Sequence, residues 1–167
     1  MNSIAVEALN WSEGLLQGRF DRTIKERFQF ELEMDNLLAV HATPYQPKEW
    51  LYVFNVGDAD EAFTRKDFRT CFIGHTHIPA LFSNAEGEKV IEEGVPVRLN
   101  ADDRYLINPG SVGQPRDLDP RASCCVFEPD EGTITIIRCE YDVKAEVEDF
   151  YQSGLPGYLG ERLLQGM

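Results

Sequence analysis

The chain has 167 residues and a net charge of −13, with 27% charged and 43% hydrophobic residues. That length supports one domain with a real core, and the composition is ordinary for a soluble globular protein. No apolar run approaches membrane-spanning length, and Met1 to Asn10 lack the basic start and apolar core of a secretory signal. The acidic balance argues against broad nucleic-acid binding, but not against a small phosphorylated substrate, because a metal site can supply local positive charge.

Four cysteines occur: Cys71, Cys124, Cys125 and Cys139. They show no paired CxxC spacing, which argues against a zinc ribbon. Cys71 and Cys139 stand in apolar, strand-like runs that suit small buried thiols. With no export signal, the chain reads as cytoplasmic with reduced thiols.

In chain order, Ser3 to Leu9 is helix-like, with Ile4, Ala5, Ala8 and Leu9 on one face. A second helical stretch covers Arg22 to Glu26. Phe28, Phe30, Leu32 and Met34 then alternate with polar residues, which predicts a half-exposed strand. Asp35-Asn36 makes a turn into Leu37 to Val40, a more buried strand. Thr43 to Asn55 is rich in proline and aromatic residues and reads as irregular. Asp58 or Asp60 is expected to cap a helix ending near Phe68. Gly57-Asp58-Ala59-Asp60 also has the look of a carboxylate metal motif, but the helix-cap reading is preferred.

Cys71 to Ile73 is a short buried strand. Beyond it the chain turns mostly β. Ala80 to Ser83, Lys89 to Ile91, Val95 to Leu99, Arg104 to Ile107, Ser123 to Phe127 and Thr133 to Arg138 are separated by turn residues such as Glu86-Gly87 and Pro109-Gly110. Short strands with tight turns predict antiparallel pairing. The C-terminus is helical: Asp142 caps a helix with Val143, Val147 and Phe150 or Tyr151 inside, Gly154 stops it, and a last short helix runs from Tyr158 to Leu164. There is no internal repeat, low-complexity tract or linker, so residues 1–167 read as one domain.

Only three histidines occur, and each follows an apolar run of strand length. His41 ends Leu37-Leu38-Ala39-Val40, and His75 and His77 follow Cys71-Phe72-Ile73-Gly74. Imidazole is the commonest neutral metal ligand. Histidines two apart in a loop face different ways, so His75 and His77 can serve two neighbouring ions. They can equally be polar loop residues. Gly74 would permit close backbone approach. Parallel neighbouring strands would bring the ends at His41 and His75 together, where open α/β sheets bind ligands. A third segment, Asn108-Pro109-Gly110-Ser111-Val112-Gly113-Gln114-Pro115-Arg116-Asp117, has its shape fixed by glycine and proline. Asn108, Ser111 and Arg116 are its candidates for phosphate or metal-supporting contacts. Local chemistry alone favours a structural turn with solvated Arg116 and Asp117 charges.

Together these motifs resemble the calcineurin-like metallophosphoesterase superfamily, in its bacterial phosphodiesterase and diadenosine-tetraphosphatase-like branch. Gly74-His75-Thr76-His77 matches the family's GHTH motif. His41-Ala42-Thr43-Pro44 matches HG(S/T)P, with Ala42 in place of glycine. Asn108 to Arg116 matches NPGSVGQPR, followed by Asp119-Pro120-Arg121-Ala122-Ser123 and the closing Gly154-Leu155-Pro156. The resemblance implies an α/β class (α+β in this portion), as the C-terminal part of a four-layer α/β/β/α sandwich. It implies phosphoester or phosphodiester hydrolysis with divalent manganese, nickel, iron or zinc. His41 and His75 would ligate one ion and His77 the other.

The family's D-x-H, GDxxD and GNH(D/E) motifs, which precede the His41 position, are not in this sequence. The bridging aspartate and the leaving-group histidine belong to them, so no catalytic residue is assigned here. Residues 1–167 are therefore expected to form a partial domain that alone holds at most one weakly bound ion and hydrolyses poorly. An uncovered sheet edge is expected to drive homo-oligomerisation or pairing with a complementing N-terminal partner. A non-catalytic interaction or metal-sensing module derived from the enzyme is the alternative from another class.

Overall fold

A computed structural model of the chain describes residues 3–16 and 28–167. Its elements in order are α1 (Ser3–Leu16), β1 (Glu31–Met34), β2 (Leu37–Val40), α2 (Val56–Arg65), β3 (Thr70–Phe72), β4 (Pro79–Ser83) and β5 (Gly87–Lys89). They continue with β6 (Val97–Arg98), β7 (Tyr105–Pro109), β8 (Ala122–Glu128), β9 (Thr133–Cys139), α3 (Val143–Ser153), α4 (Tyr158–Glu161) and a 3-10 turn, Arg162–Gln165. The helical reading of Arg22 to Glu26 lies outside the described residues. The class is mixed α/β, and the strands after residue 80 pair mostly antiparallel.

Two compact units divide the chain. The larger, residues 30–141 with 166–167, holds every described strand. Its main sheet has the order β1-β2-β3-β7-β4-β5, and β6-β9-β8 form a second sheet of three strands. The expected antiparallel run is thus shared between two sheets. β2, β3 and β7 run parallel, with Leu37 opposite Thr70, Ala39 opposite Phe72 and Phe72 opposite Ile107. Their apolar runs suit strands covered on both faces.

One face of the main sheet packs under α2. Leu38, Val40, Cys71, Ile73, Phe82 and Leu106 meet Ala59, Ala62, Phe63 and Phe68 there. The other face meets the second sheet through Leu81, Tyr105, Ile107, Ile134, Phe72 and Phe127. Layering within this unit is helix, sheet, sheet. Burying these apolar side chains is the main source of its stability.

Local differences from the sequence reading have physical reasons. Asn55, not Asp58 or Asp60, is the N-cap of α2, and its side chain accepts from the Asp58 backbone N–H. Asp58 reaches back instead, accepting from the Phe54 N–H at 2.8 Å and from the Asn55 amide at 3.0 Å. This reciprocal arrangement works as a capping box does, with aspartate at the third position. β1 is an edge strand with all four residues exposed, so its apolar face is not half-buried as expected. Cys139 is exposed at the end of β9, whereas Cys71 is buried.

Among the described residues, the smaller unit holds 3–16, 28–29 and 142–165. α1 runs on to Leu16, beyond the expected Leu9, and absorbs Ser12 by a hydroxyl bond to the Ala8 carbonyl. The Trp11 indole N–H donates to the Ser153 carbonyl at 3.1 Å. Asp142 caps α3 by accepting from the Ala145 N–H, and Gly154 ends it in the left-handed conformation at φ 77°. Among the described residues no helix is long and apolar enough to cross a membrane.

Candidate functional site

The site begins where the parallel ladder runs out. Beyond β3, the Ile73 N–H donates to the Ile107 carbonyl and the Gly74 N–H to the His41 carbonyl. This continuation draws the chain after β2 against the chain after β3. The sheet order β3-β7-β4 then carries the loop Gly74 to Ile78 over the end of β7. Asn108 on β7 sits beneath that crossing, 1% exposed. Its amide donates to the Gly74 carbonyl at 3.0 Å and to the Thr76 hydroxyl at 2.8 Å. Its side-chain oxygen accepts from the Gly110 N–H at 3.0 Å.

Gly110 has φ 86°, and an added Cβ would lie 2.6 Å from the Ser123 Oγ and 2.9 Å from the Pro79 Cγ. Only glycine meets both demands. Gly74 is different. A Cβ there would lie 3.5 Å from the His41 carbonyl oxygen, an ordinary contact, so close approach does not require this glycine. Ala42 is buried without a positive φ, so its methyl group replaces the family's glycine without backbone strain.

The histidine rings come together unequally. His41 and His75 have ring centroids 5.1 Å apart at 65°. Two imidazoles on one tetrahedral ion, at metal–nitrogen distances near 2.1 Å, hold their ring centres about 5 Å apart. The centroid spacing of the pair matches that value. His75 donates through Nε2 to the Trp50 carbonyl at 2.9 Å, which leaves its lone pair on Nδ1. His77 donates through Nδ1 to the Gln114 carbonyl at 2.7 Å, which leaves its lone pair on Nε2. Such second partners orient ligating imidazoles.

Burial lowers the pKa of both imidazoles. At His75 the neighbouring His41 adds to the effect, and Arg116 lowers both. Neutral imidazole is the ligating form. Five described non-glycine residues have positive φ, and three of them, Trp50, His75 and His77, belong to this site. Strain of that kind concentrates where function requires a shape.

The loop after β7 frames the far side. Ser111 Oγ accepts from the Gln114 N–H at 3.0 Å. The Arg116 guanidinium donates to Gln114 Oε1 at 2.7 Å, and its backbone N–H donates to the His77 carbonyl at 3.2 Å. Asp117 is not solvated as the turn reading expected; it forms an ion pair with Arg138 whose side chains are mostly buried. Among the described residues no group of three or more histidine, cysteine, aspartate or glutamate side chains is placed to hold a metal. Asp58 and Asp60 belong to α2 and complete no site with the histidines.

The rings around His75 belong to no motif of the sequence. Tyr52 stacks on it with centroids 4.0 Å apart at 14°, and Trp50 stands 5.7 Å away. The signal was the alternation Trp50-Leu51-Tyr52-Val53-Phe54, a strand-like spacing within an irregular segment.

The fold and its motifs have relatives. Residues 12–132 match the calcineurin-like phosphoesterase superfamily domain. An uncharacterized protein of Methanocaldococcus jannaschii is 36% identical over 168 residues, covering 99% of this chain and 67% of that protein. The crystal structure of a metallophosphoesterase from Sphaerobacter thermophilus is similar at a TM-score of 0.81 and 34% identity, over 87% of this chain and 61% of that one. A hypothetical protein from Pyrococcus horikoshii shares the fold at a TM-score of 0.65 and 14% identity, over 90% of this chain and 57% of that one. The chain therefore spans about two thirds or less of the relatives it matches. With its family match across most of its length, this chain belongs to the calcineurin-like phosphoesterase superfamily.

Proposed function

We propose that these residues supply the second half of a metal-dependent phosphoester hydrolase site that acts on phosphodiesters. Carrying the reading is the meeting of His41 and His75 at the ends of two parallel strands, 5.1 Å apart. His41 and His75 would hold one divalent ion, and His77 would face a second position. Nickel, iron and zinc suit imidazole donors, and manganese, which prefers oxygen ligands, is included from the family resemblance. When bound, a divalent ion supplies Lewis-acid polarisation of a phosphoryl oxygen.

The chain's own residues do the rest. The Trp50 and Gln114 carbonyls fix which nitrogen each imidazole offers. Arg116, tethered by Gln114, offers positive charge to phosphoryl oxygens. Asn108 and Ser111 hold the two loops in shape. Three imidazoles divided two and one leave both positions short of the three protein ligands usual for catalytic zinc. Residues 1–167 thus act as a partial domain holding at most one ion weakly.

Completion of the site by a separate N-terminal partner is favoured by the partial coverage of the relatives, and either that partner or a second copy would cover the exposed edge strand β1. The test is turnover of bis(p-nitrophenyl) phosphate with manganese, nickel or zinc. We expect near-background hydrolysis from these residues alone. Addition of a segment carrying the D-x-H, GDxxD and GNHD motifs should restore turnover, and His75→Ala should abolish it again. Robust hydrolysis by residues 1–167 alone would overturn the incomplete-site reading.

A further inference from the structure

Three aromatic side chains beside the histidines have no part in metal or phosphate contact. Trp50, Tyr52 and Phe54 occupy alternate positions of the segment leading into α2. Tyr52 stacks on His75, and Phe54 stacks on Tyr52 at 5.0 Å and 19°. The Trp50 ring lies 5.3 Å from His41 and 5.7 Å from His75. Trp50 is 51% exposed and Phe54 57%.

The segment is pinned along its length. Trp50 adopts φ 55°, rare for a bulky residue, and its carbonyl accepts from His75. Val53 is buried in the core. The Phe54 N–H donates to the Asp58 carboxylate at 2.8 Å. Large aromatic faces held rigid yet exposed beside a polar site are suited to a ligand, because the ordering has already been done.

We propose that Trp50 and Phe54 form a stacking platform that selects phosphoesters bearing a planar aromatic group, whether a nucleobase or a simple aryl ring. The proposal rests on the phosphoester reading of the histidine site. Phosphoryl oxygens lie toward His41, His75 and Arg116, and the ester group lies over the rings. Aromatic faces accept any flat π system, so the platform reads flatness rather than base identity. A purely aliphatic ester offers no such face.

Binding can be read without turnover. Trp11 and Trp50 are the two tryptophans, so Trp11→Phe leaves Trp50 as the sole tryptophan, read by excitation at the red edge where tyrosine does not absorb. This variant is titrated, with manganese present, against adenosine 5′-monophosphate, phenyl phosphate and ribose 5-phosphate. The two aromatic ligands should quench Trp50 saturably, and ribose 5-phosphate should compete at least about tenfold more weakly. Adding Phe54→Leu, at an exposed position, should weaken the aromatic ligands severalfold and leave ribose 5-phosphate unchanged. Quenching by both aromatic ligands indicates any aryl group; quenching by the adenosine phosphate alone indicates a nucleobase. Equal competition by ribose 5-phosphate, or no quenching by either aromatic ligand, overturns the platform. Saturable quenching with no hydrolysis of bis(p-nitrophenyl) phosphate even after a segment carrying the D-x-H, GDxxD and GNHD motifs is added counts against the hydrolase reading and leaves the platform in place.

Discussion

The hydroxyl of Thr43 is buried in the His41-Ala42-Thr43-Pro44 segment, and no hydrogen-bond partner among the described residues meets it. An unsatisfied buried polar group of this kind costs about 1–3 kcal/mol. Thr43→Val keeps the shape and removes the orphan. It should raise stability by about 1 kcal/mol in urea unfolding; a loss of that size would mean that the hydroxyl has a partner. Asp119 poses the opposite case. Its carboxyl pKa is lowered first by hydrogen bonding to the Arg121 guanidinium. A depressed folded-state pKa contributes stability above the unfolded value near 3.9 and loses it as pH falls through the folded value. Asp119→Asn should therefore be less stable than the parent at pH 7, with the gap closing below about pH 4. Unfolding midpoints across pH check this, and a gap that does not narrow in acid would refute it.

Arg104, at the start of the Tyr105–Pro109 strand, ties that strand to the end of α2. Its guanidinium donates to the Phe63, Lys66 and Phe68 carbonyls and lies over the Phe63 and Phe68 rings. The last carbonyls of a helix need such partners, and a planar fork serves several at once. Arg104→Lys keeps the charge and loses the fork. It should lower stability by about 2 kcal/mol in denaturant unfolding, and a change within about 0.5 kcal/mol would contradict the role. Elements of this kind were unevenly legible in the sequence. Leu37 to Val40 and Cys71 to Ile73 could be read because strands buried on both faces are continuously apolar, and each ends beside a histidine. The alternation from Phe28 to Met34 showed which side chains share a face, but periodicity says nothing about whether that face is covered. Asp58 drew attention as a cap because its charge suits a helix start, while neutral Asn55 does the capping. Asn108 looked like a turn residue. Its place under the Gly74 to Ile78 loop follows from the order β3-β7-β4, which no local pattern records.

At the scale of the molecule, the chain belongs to the calcineurin-like phosphoesterase superfamily, and, as proposed, it carries one side of the site. The family was legible: the motifs around His41, His75 and His77 pointed to the superfamily that the chain matches. Their distances were not. The 5.1 Å meeting of His41 and His75 depends on parallel pairing of strands about thirty residues apart in sequence. The aromatic segment Trp50 to Phe54 looked like filler because its value lies in what it stacks on. The most direct test of the incomplete centre is the metal content of residues 1–167, by calorimetric titration with manganese or zinc and elemental analysis after gel filtration. At most one weakly held ion per chain is predicted, lost on gel filtration and abolished by His41→Ala or His75→Ala. Two tightly held ions per chain, surviving gel filtration, would contradict it.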